Sequence, residues 1–432
     1  VGINATPNPL PVYGIQINGD GTLTRLNLST GLNSSDFSTI YPFSQIKRCV
    51  VKPDKTVNYY LLSTDSSKKA DGTNADLTGA DGNFCTEIPK FYYKTNKTED
   101  GKLQYFIAQA QLDGFSIYPA FLRNGVTVDK IYVGCFESWI DTNNKMWSLP
   151  SKTPTYNSSI PTFRTSSNNI GSGWYTCDFL ALSAISLLQL MQYASFDSQT
   201  NIGLGIVNDI LVHQTGESLD LGNNNGTTGD NDGKHPISLF GAESLWGNGG
   251  YEFIDGIIAS PTKYYIANNN FSSYVDETTL GSYSSPDSSI IPCQTSGFGG
   301  NNIEYSNTFN FALLPKVTNG SDTSGTFDLF WNDKGSKNLL FMGGLNNSNT
   351  QAGLYNDMFI DNEVLTESHD MTNGTSLNSN IVSGTEWSYE IDKSIIQNNP
   401  KTLDTFSVVD NTIPAIVYNW LFNNICARLM TY

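Results

Sequence analysis

Asn338-Leu339-Leu340-Phe341-Met342-Gly343-Gly344-Leu345 is the stretch on which the reading of the fold turns. An apolar run of strand character enters a pair of glycines. Such a pair marks a place where a side chain would block a turn or a close approach of backbone. A polar segment follows, with Asn346, Asn347, Ser348, Asn349 and Gln351, and leads to Ala352-Gly353-Leu354-Tyr355-Asn356. The chain closes on Ile425-Cys426-Ala427-Arg428-Leu429-Met430, which reads as a last buried strand pinning the C-terminus into a core. Strand, glycine pair, polar segment and terminal strand thus follow one another in that order.

Composition agrees with a β-rich protein of neutral polar surface. Charged residues make up 15% of the 432 residues, well below the usual quarter. Asn, Ser, Thr, Gly and Tyr take their place, although an AT-rich genome would enrich Asn in the same way. The length allows two or three domains with cores of their own. A net charge of −17 without any Lys/Arg cluster argues against nucleic-acid binding, which needs a basic face. The six cysteines, Cys49, Cys85, Cys135, Cys177, Cys293 and Cys426, show no metal spacing, and their apolar settings favour buried thiols over a disulfide framework. His213, His235 and His369 stand apart, so a His-based metal site or a Ser-His-Asp triad has little support. No run approaches the ~18 apolar residues of a membrane span. No signal peptide is read at the N-terminus.

Residues 1–150 read as short strands broken by turns. Val12 to Ile17 and Thr22 to Leu26 form one hairpin around Asn18-Gly19-Asp20-Gly21, and Cys49-Val50-Val51 with Thr56 to Leu62 forms a second. Glu87 to Lys94 gives a third strand region, with Pro89 suggesting a sheet edge. The Asp/Gly-rich stretch from Lys69 to Asn83 has the spacing of a calcium loop but lacks the closing bidentate Glu, which favours ordinary turn chemistry. Residues 150–165 read as a linker or crossing loop, and 215–234 as a mobile surface loop. Between these two segments Asp178 caps a helix running to Ala194, with Leu180, Ala184, Leu187, Leu188 and Met191 at helical spacing. It is apolar nearly all round and is therefore a core element.

Beyond the helix, Gly241-Ala242-Glu243-Ser244-Leu245-Trp246-Gly247-Asn248 and Glu252-Phe253-Ile254-Asp255-Gly256 form a specific motif. Together with Gly343-Gly344, Ala352-Gly353-Leu354 and the terminal Ala427-Arg428-Leu429, it resembles the C-type-lectin-like fold of the formylglycine-generating-enzyme branch. That branch includes phage tail and receptor-binding proteins and the variable proteins of diversity-generating retroelements. Ile88-Pro89-Lys90-Phe91-Tyr92-Tyr93, Tyr118-Pro119-Ala120-Phe121 and Ile131-Tyr132-Val133-Gly134 are similar to the N-terminal portion of phage structural and tail proteins. The resemblance implies a β-rich α+β chain. An N-terminal β assembly domain would cover 1–150, and a C-type-lectin-like domain around the buried helix would cover 165–432. A large insertion at about 356–424 would occupy a place where compact members have few residues. Glu243, Trp246, Gly247, Asp255, Gly343, Gly344 and Arg428 would be its structural motif, with the acids capping turns or pairing with an arginine, Arg428 foremost.

Several chemistries compete with this reading. Glu243, Glu252 and Asp255 could work as paired carboxylates of a glycosidase, but the structural role is preferred. The formylglycine-generating enzymes use two reactive cysteines near the C-terminal strands; Cys426 has no such neighbour in sequence, so that oxidase activity is not expected. Trp331-Asn332-Asp333 copies the calcium triplet of sugar-binding lectins, yet the usual Glu-Pro-Asn partner is missing and Ser285-Pro286-Asp287 is a weak echo. No metal and no cofactor are assigned.

The function expected is a non-enzymatic virion structural protein, a tail or head fibre or receptor-binding subunit, recognising a host-surface glycan or protein. Asn346, Asn347, Asn349, Tyr355, Asn356 and Trp387 are the candidate ligand-binding residues, because Tyr with Asn and Ser makes an adaptable contact surface. Expected partners are other virion proteins, the host surface and two further copies in a homotrimer, with no nucleic acid and no membrane insertion. The expected location is the virion or extracellular space. The alternatives are a virion-associated or secreted carbohydrate-active enzyme, and a bacterial surface adhesin on the same fold.

Overall fold

Alternation along Val12–Ile17 and Leu23–Asn27 produces a hairpin, with Ile17 opposite Leu23 and Tyr13 opposite Asn27. Its turn is held by Asp20, whose carboxylate accepts the Thr22 backbone N–H at 3.0 Å and the Thr22 hydroxyl at 2.6 Å. The same Asp-x-Thr/Ser device recurs at Asp54, Asp65, Asp71 and Asp76. Such local bonds fix a turn without help from the rest of the fold. The Asp71 and Asp76 carboxylates are thus engaged within their own loop, which is turn chemistry.

The computed structural model describes residues 10–267 apart from 124, 157 and 210, then 283–284, 292–298, 300–303, 309–318, 328–332, 338–344, 348, 352–361 and 425–432. These residues form a β-rich α+β protein of several sheets and few helices. One sheet has five strands, including the first hairpin, Leu103–Ala108 and Tyr92–Lys97. A second has seven, in the order Trp174–Thr176, Leu429–Thr431, Lys130–Gly134, Asn83–Pro89, Lys47–Val51, Val57–Leu62, Asp65–Lys69. A third has eight among the described residues and centres on Tyr251–Ala259, Asn338–Gly343 and Gly353–Asp361. Ile425–Ala427 lies parallel on Tyr251, Glu252 and Phe253 of that third sheet.

Helix α1 spans Ile160–Asn168, α2 Phe179–Tyr193 and α3 Ser198–Ile202. Helix α2 is the expected core element. The Asp178 side chain caps it by accepting the Ala181 N–H at 2.9 Å, and Ala194 ends it in the left-handed region at φ 53°. At its far end Arg25 donates to the carbonyls of Met191 and Gln192 at 2.7 and 2.6 Å. An acid at the start and a guanidinium at the end both complement the helix dipole. The helix packs on Tyr251–Ala259, on Val12–Ile17 and on Pro119–Phe121.

Four expectations are corrected here. First, the boundary near residue 150 does not separate two cores. Leu429–Thr431 is hydrogen-bonded between Lys130–Gly134 and Trp174–Thr176, and one apolar core runs from Ile15 to Met430. Second, Pro89 does not mark a sheet edge. Its strand lies between Lys47–Val51 and Lys130–Gly134, and the proline is tolerated because it is the last residue of the strand. Third, 150–165 is more than a linker, since α1 begins at Ile160 with Ser159 as its cap and Pro161 in its first turn. Fourth, 215–234 is tied to the core rather than loose. Asn223 accepts the Arg48 N–H at 2.8 Å, Asn225 accepts the Phe240 N–H at 2.6 Å, and Ser218 is fully buried.

The glycine pair does what its position suggests. Gly343 and Gly344 sit at φ +97° and +84°, and a Cβ on Gly343 would lie 2.7 Å from the Leu245 carbonyl oxygen. On Gly344 it would lie 2.7 Å from the Ala352 Cβ. Both sterics and backbone therefore demand glycine. Gly343→Val should destabilise the chain by about 3 kcal/mol or more. Gly19→Val, where a Cβ meets nothing within 4 Å, serves as the control. Urea denaturation checks this: equal midpoints for the two variants would contradict the assignment.

Candidate functional site

The C-terminal run changes sheets in a single residue. Ile425–Ala427 belongs to the eight-stranded sheet and Leu429–Thr431 to the seven-stranded one, so Arg428 stands at the crossing. Its side chain is fully buried. Nε lies 3.1 and 3.0 Å from the two Glu252 oxygens. Nη1 donates to the Gly134 carbonyl at 3.0 Å, and Nη2 to the Glu243 and Ser244 carbonyls at 2.8 and 3.3 Å. Only a guanidinium offers this many donors in one plane, so lysine could not replace it.

The other buried arginines follow the same rule. Arg164 on α1 grips Asp255 through two bonds, Nε–Oδ2 at 2.8 Å and Nη2–Oδ1 at 2.7 Å, while the Thr176 hydroxyl reaches Asp255 Oδ2 at 3.1 Å. Arg123 meets Asp178 at 2.5 Å. Arg48 donates to the carbonyls of Gly241 and Ser218, both at 2.8 Å, and to the Ser218 hydroxyl at 2.7 Å. Buried charges of this kind are tolerated when paired and fully bonded.

The motif acids are thus structural in geometry. Glu252 pairs with Arg428, as its sequence position suggests, whereas Asp255 pairs with Arg164. The Glu243 carboxylate accepts the backbone N–H groups of Gly216 and Ser218 at 2.8 and 2.7 Å, and its own carbonyl serves Arg428. Burial pushes the carboxyls of Glu243 and Glu252 above their ordinary range, against the pull of these donors. Trp246 is buried, with its indole N–H directed at the Gly203 and Leu204 carbonyls. A Cβ on Gly247, at φ +83°, would lie 2.6 Å from the Ile206 carbonyl oxygen.

Two of the candidate ligand-binding residues face inward, which corrects their assignment. The Tyr355 hydroxyl lies 2.7 Å from Gln189 Oε1 on α2, and its ring meets Phe196 edge-on at 5.1 Å. Asn356 has no exposed surface. Their strand is flanked by neighbours on both sides and covered on both faces, so polar character did not mean exposure. Asn346, Asn347, Asn349 and Trp387 lie outside the described residues. Asn332 of the lectin-like triplet spends its amide on the Cys293 carbonyl at 2.8 Å; Asp333 also lies outside the described residues. All six cysteines are free and buried.

Sequence reasoning missed Glu137. This carboxyl is 3% exposed and accepts the Asn248 amide at 2.5 Å, with the Cys426 thiol at 3.3 Å and the Tyr156 hydroxyl at 3.5 Å. Asn248 in turn accepts the His213 N–H at 2.9 Å, which ties the 206–213 segment to the motif. Burial raises the Glu137 carboxyl to about 7, against the opposing pull of Asn248 and Arg428. Sequence reasoning also missed Arg48, whose signal was there: an arginine inside the apolar run Arg48-Cys49-Val50-Val51 shares a face with Val50.

No family model matches the chain, and no curated protein matches it.

Two measurements test the buried lattice. Arg428→Met strands the Glu252 carboxylate and should cost about 3–5 kcal/mol, while the double variant Arg428→Met/Glu252→Met should recover much of that loss. A double variant as unstable as the single one would show that the pair itself is not the cause. For Glu137 the folded state holds its proton to a higher pH than the unfolded chain does. Its contribution is therefore complete below about pH 4.5 and is lost as pH rises through about 7. Glu137→Gln should remove a pH-dependent difference of roughly 3 kcal/mol between these limits. Parallel stability curves for the two proteins would contradict the shift.

Proposed function

We propose that the chain is a non-enzymatic structural protein of a virion, a fibre or receptor-binding subunit, whose C-terminal part is a C-type-lectin-like scaffold for recognition loops. The observation that carries this reading is the anchoring of the loop that follows the glycine pair. On one side Gly343 and Gly344 are wedged against Leu245 and Ala352. On the other, the Leu354 N–H is held by the Ser198 hydroxyl at 3.1 Å and Tyr355 by α2. A loop with both stems fixed can vary in sequence without moving its scaffold.

The recognition surface would be Asn346, Asn347 and Asn349 together with the 362–424 segment that carries Trp387. Amides with an aromatic ring suit a host-surface glycan or protein. A homotrimer within a particle, bound to other virion proteins, is the assembly in keeping with this role, because a surface poor in charge desolvates few ions on contact. The competing enzyme reading is weakened by the acids themselves. Glu243 is engaged with backbone donors, and Glu252 and Asp255 with arginines.

Deletion of residues 362–420, with the ends joined by a short Gly/Ser turn, tests the assignment. The shortened chain should melt close to the parent and still enter particles, and those particles should no longer adsorb to host cells. Unchanged adsorption would remove the recognition role from the segment. Cleavage of host polysaccharide that is lost in Glu252→Gln, with folding intact, would favour the carbohydrate-active enzyme instead.

A further inference from the structure

His213 is bonded at both ring nitrogens. Nδ1 lies 2.9 Å from Glu217 Oε1, and Nε2 lies 3.3 Å from Asp209 Oδ2. A neutral imidazole has a single N–H, so one of these carboxylates would then face a lone pair. Only the imidazolium donates to both. The ring and Asp209 are partly buried while Glu217 is exposed, so the Asp209 bond is the less screened of the two.

The backbone of the same residue is clasped by Asn248. Its N–H donates to Asn248 Oδ1 at 2.9 Å, and its carbonyl accepts from Nδ2 at 3.3 Å. Nδ2 also donates to Glu137 Oε2, so a single buried amide ties His213 to a second titratable group. The apolar pair Leu211 and Val212, 64% and 41% exposed, precedes His213 in the chain. A Cβ on Gly249 would lie 2.7 Å from Val212 and 2.6 Å from the Tyr156 hydroxyl, so Val212 and Tyr156 close on Gly249 together. Further along, the Thr215 N–H donates to the Lys152 carbonyl at 2.9 Å and the Gly216 N–H to Glu243 at 2.8 Å.

We propose that the His213–Asn248–Glu137 chain is a pH-responsive clasp, which holds residues 211–217 against the motif in acid and releases them as pH rises through neutrality. Burial alone would lower the His213 pKa, but the bonds and charges of Asp209 and Glu217 outweigh it and raise it. Glu137 faces the Cys426 thiol, the Tyr156 hydroxyl, Arg428 and Glu252; burial keeps that thiol and that phenol protonated well beyond neutral pH. Glu243, which also holds this segment, is itself raised by burial against the pull of Ser218, Gly216 and Arg48. All three shifts have one sign. Each group binds its proton more tightly in the folded chain, so its contribution is present at low pH and is lost as pH rises through the folded value. The clasp is independent of the virion role.

The test is hydrogen exchange on the full chain at about pH 5.5 and about pH 8.5, with each rate divided by that of an unstructured chain at the same pH. Protection of the His213, Thr215 and Gly216 amides should fall by about tenfold or more between the two, and at the higher pH it should lie below that of the α2 amides. His213→Gln keeps a hydrogen-bonding side chain but cannot titrate, so the fall should shrink; in His213→Gln/Glu137→Gln it should shrink further. If the double variant does not fold, His213→Gln alone decides. Equal protection of the parent at the two pH values, or an undiminished fall in His213→Gln, overturns the proposal. Protection equal to that of α2 at the higher pH also overturns it, because the segment would then open only with the whole chain.

Discussion

One buried guanidinium holds the architecture together. Arg428 sits where the chain leaves the eight-stranded sheet and enters the seven-stranded one, and it bonds to both sides of that crossing. Its carboxylate partner, Glu252, lies in the eight-stranded sheet, while the Gly134 carbonyl belongs to the seven-stranded one. The desolvation of such a pair is costly and is offset only because the donors find acceptors in nearly fixed positions. The gain is specificity: a crossing displaced by one residue would leave a charge buried without partners.

The consequences reach the loops. Because the last strand pairs with Lys130–Gly134, the N-terminal strands and the C-terminal motif share a core, and α2 is packed from both. The motif that begins at Gly241 then supplies three surfaces at once. Glu243 secures the Gly216–Ser218 backbone, Asn248 secures 206–213, and the Leu245 carbonyl fixes the position of Gly343. Gly344, the last described residue before the polar segment, is consequently held at a fixed point. Recognition by loops needs that kind of stem.

Much of this was legible from sequence where the signal was local. The N-terminal hairpins follow from alternation and turn residues, and α2 follows from Asp178 and its apolar run. The glycine pair was legible because two adjacent glycines at the end of an apolar strand point to positive φ and a close backbone approach. What was not legible is non-local. The join between the first 150 residues and the last eight depends on strand pairing across nearly the whole chain, which no window of sequence displays. Helix α1 carried a signal in Ser159 and Pro161, a cap and a first-turn proline, but Ser/Thr/Pro composition reads equally well as a linker. Tyr355 and Asn356 read as surface residues because their neighbours in sequence are polar. A strand covered on both faces loses the alternation that would reveal its burial.

The C-terminal crossing joins the two large sheets, and native-state hydrogen exchange on the full chain tests most directly whether they open as one cooperative unit. Amides of Lys47–Val51 and of Tyr251–Ala259 should open with the same free energy, and Arg428→Met should lower both together. Separate opening energies for the two sheets, with only one of them responding to the substitution, would contradict it.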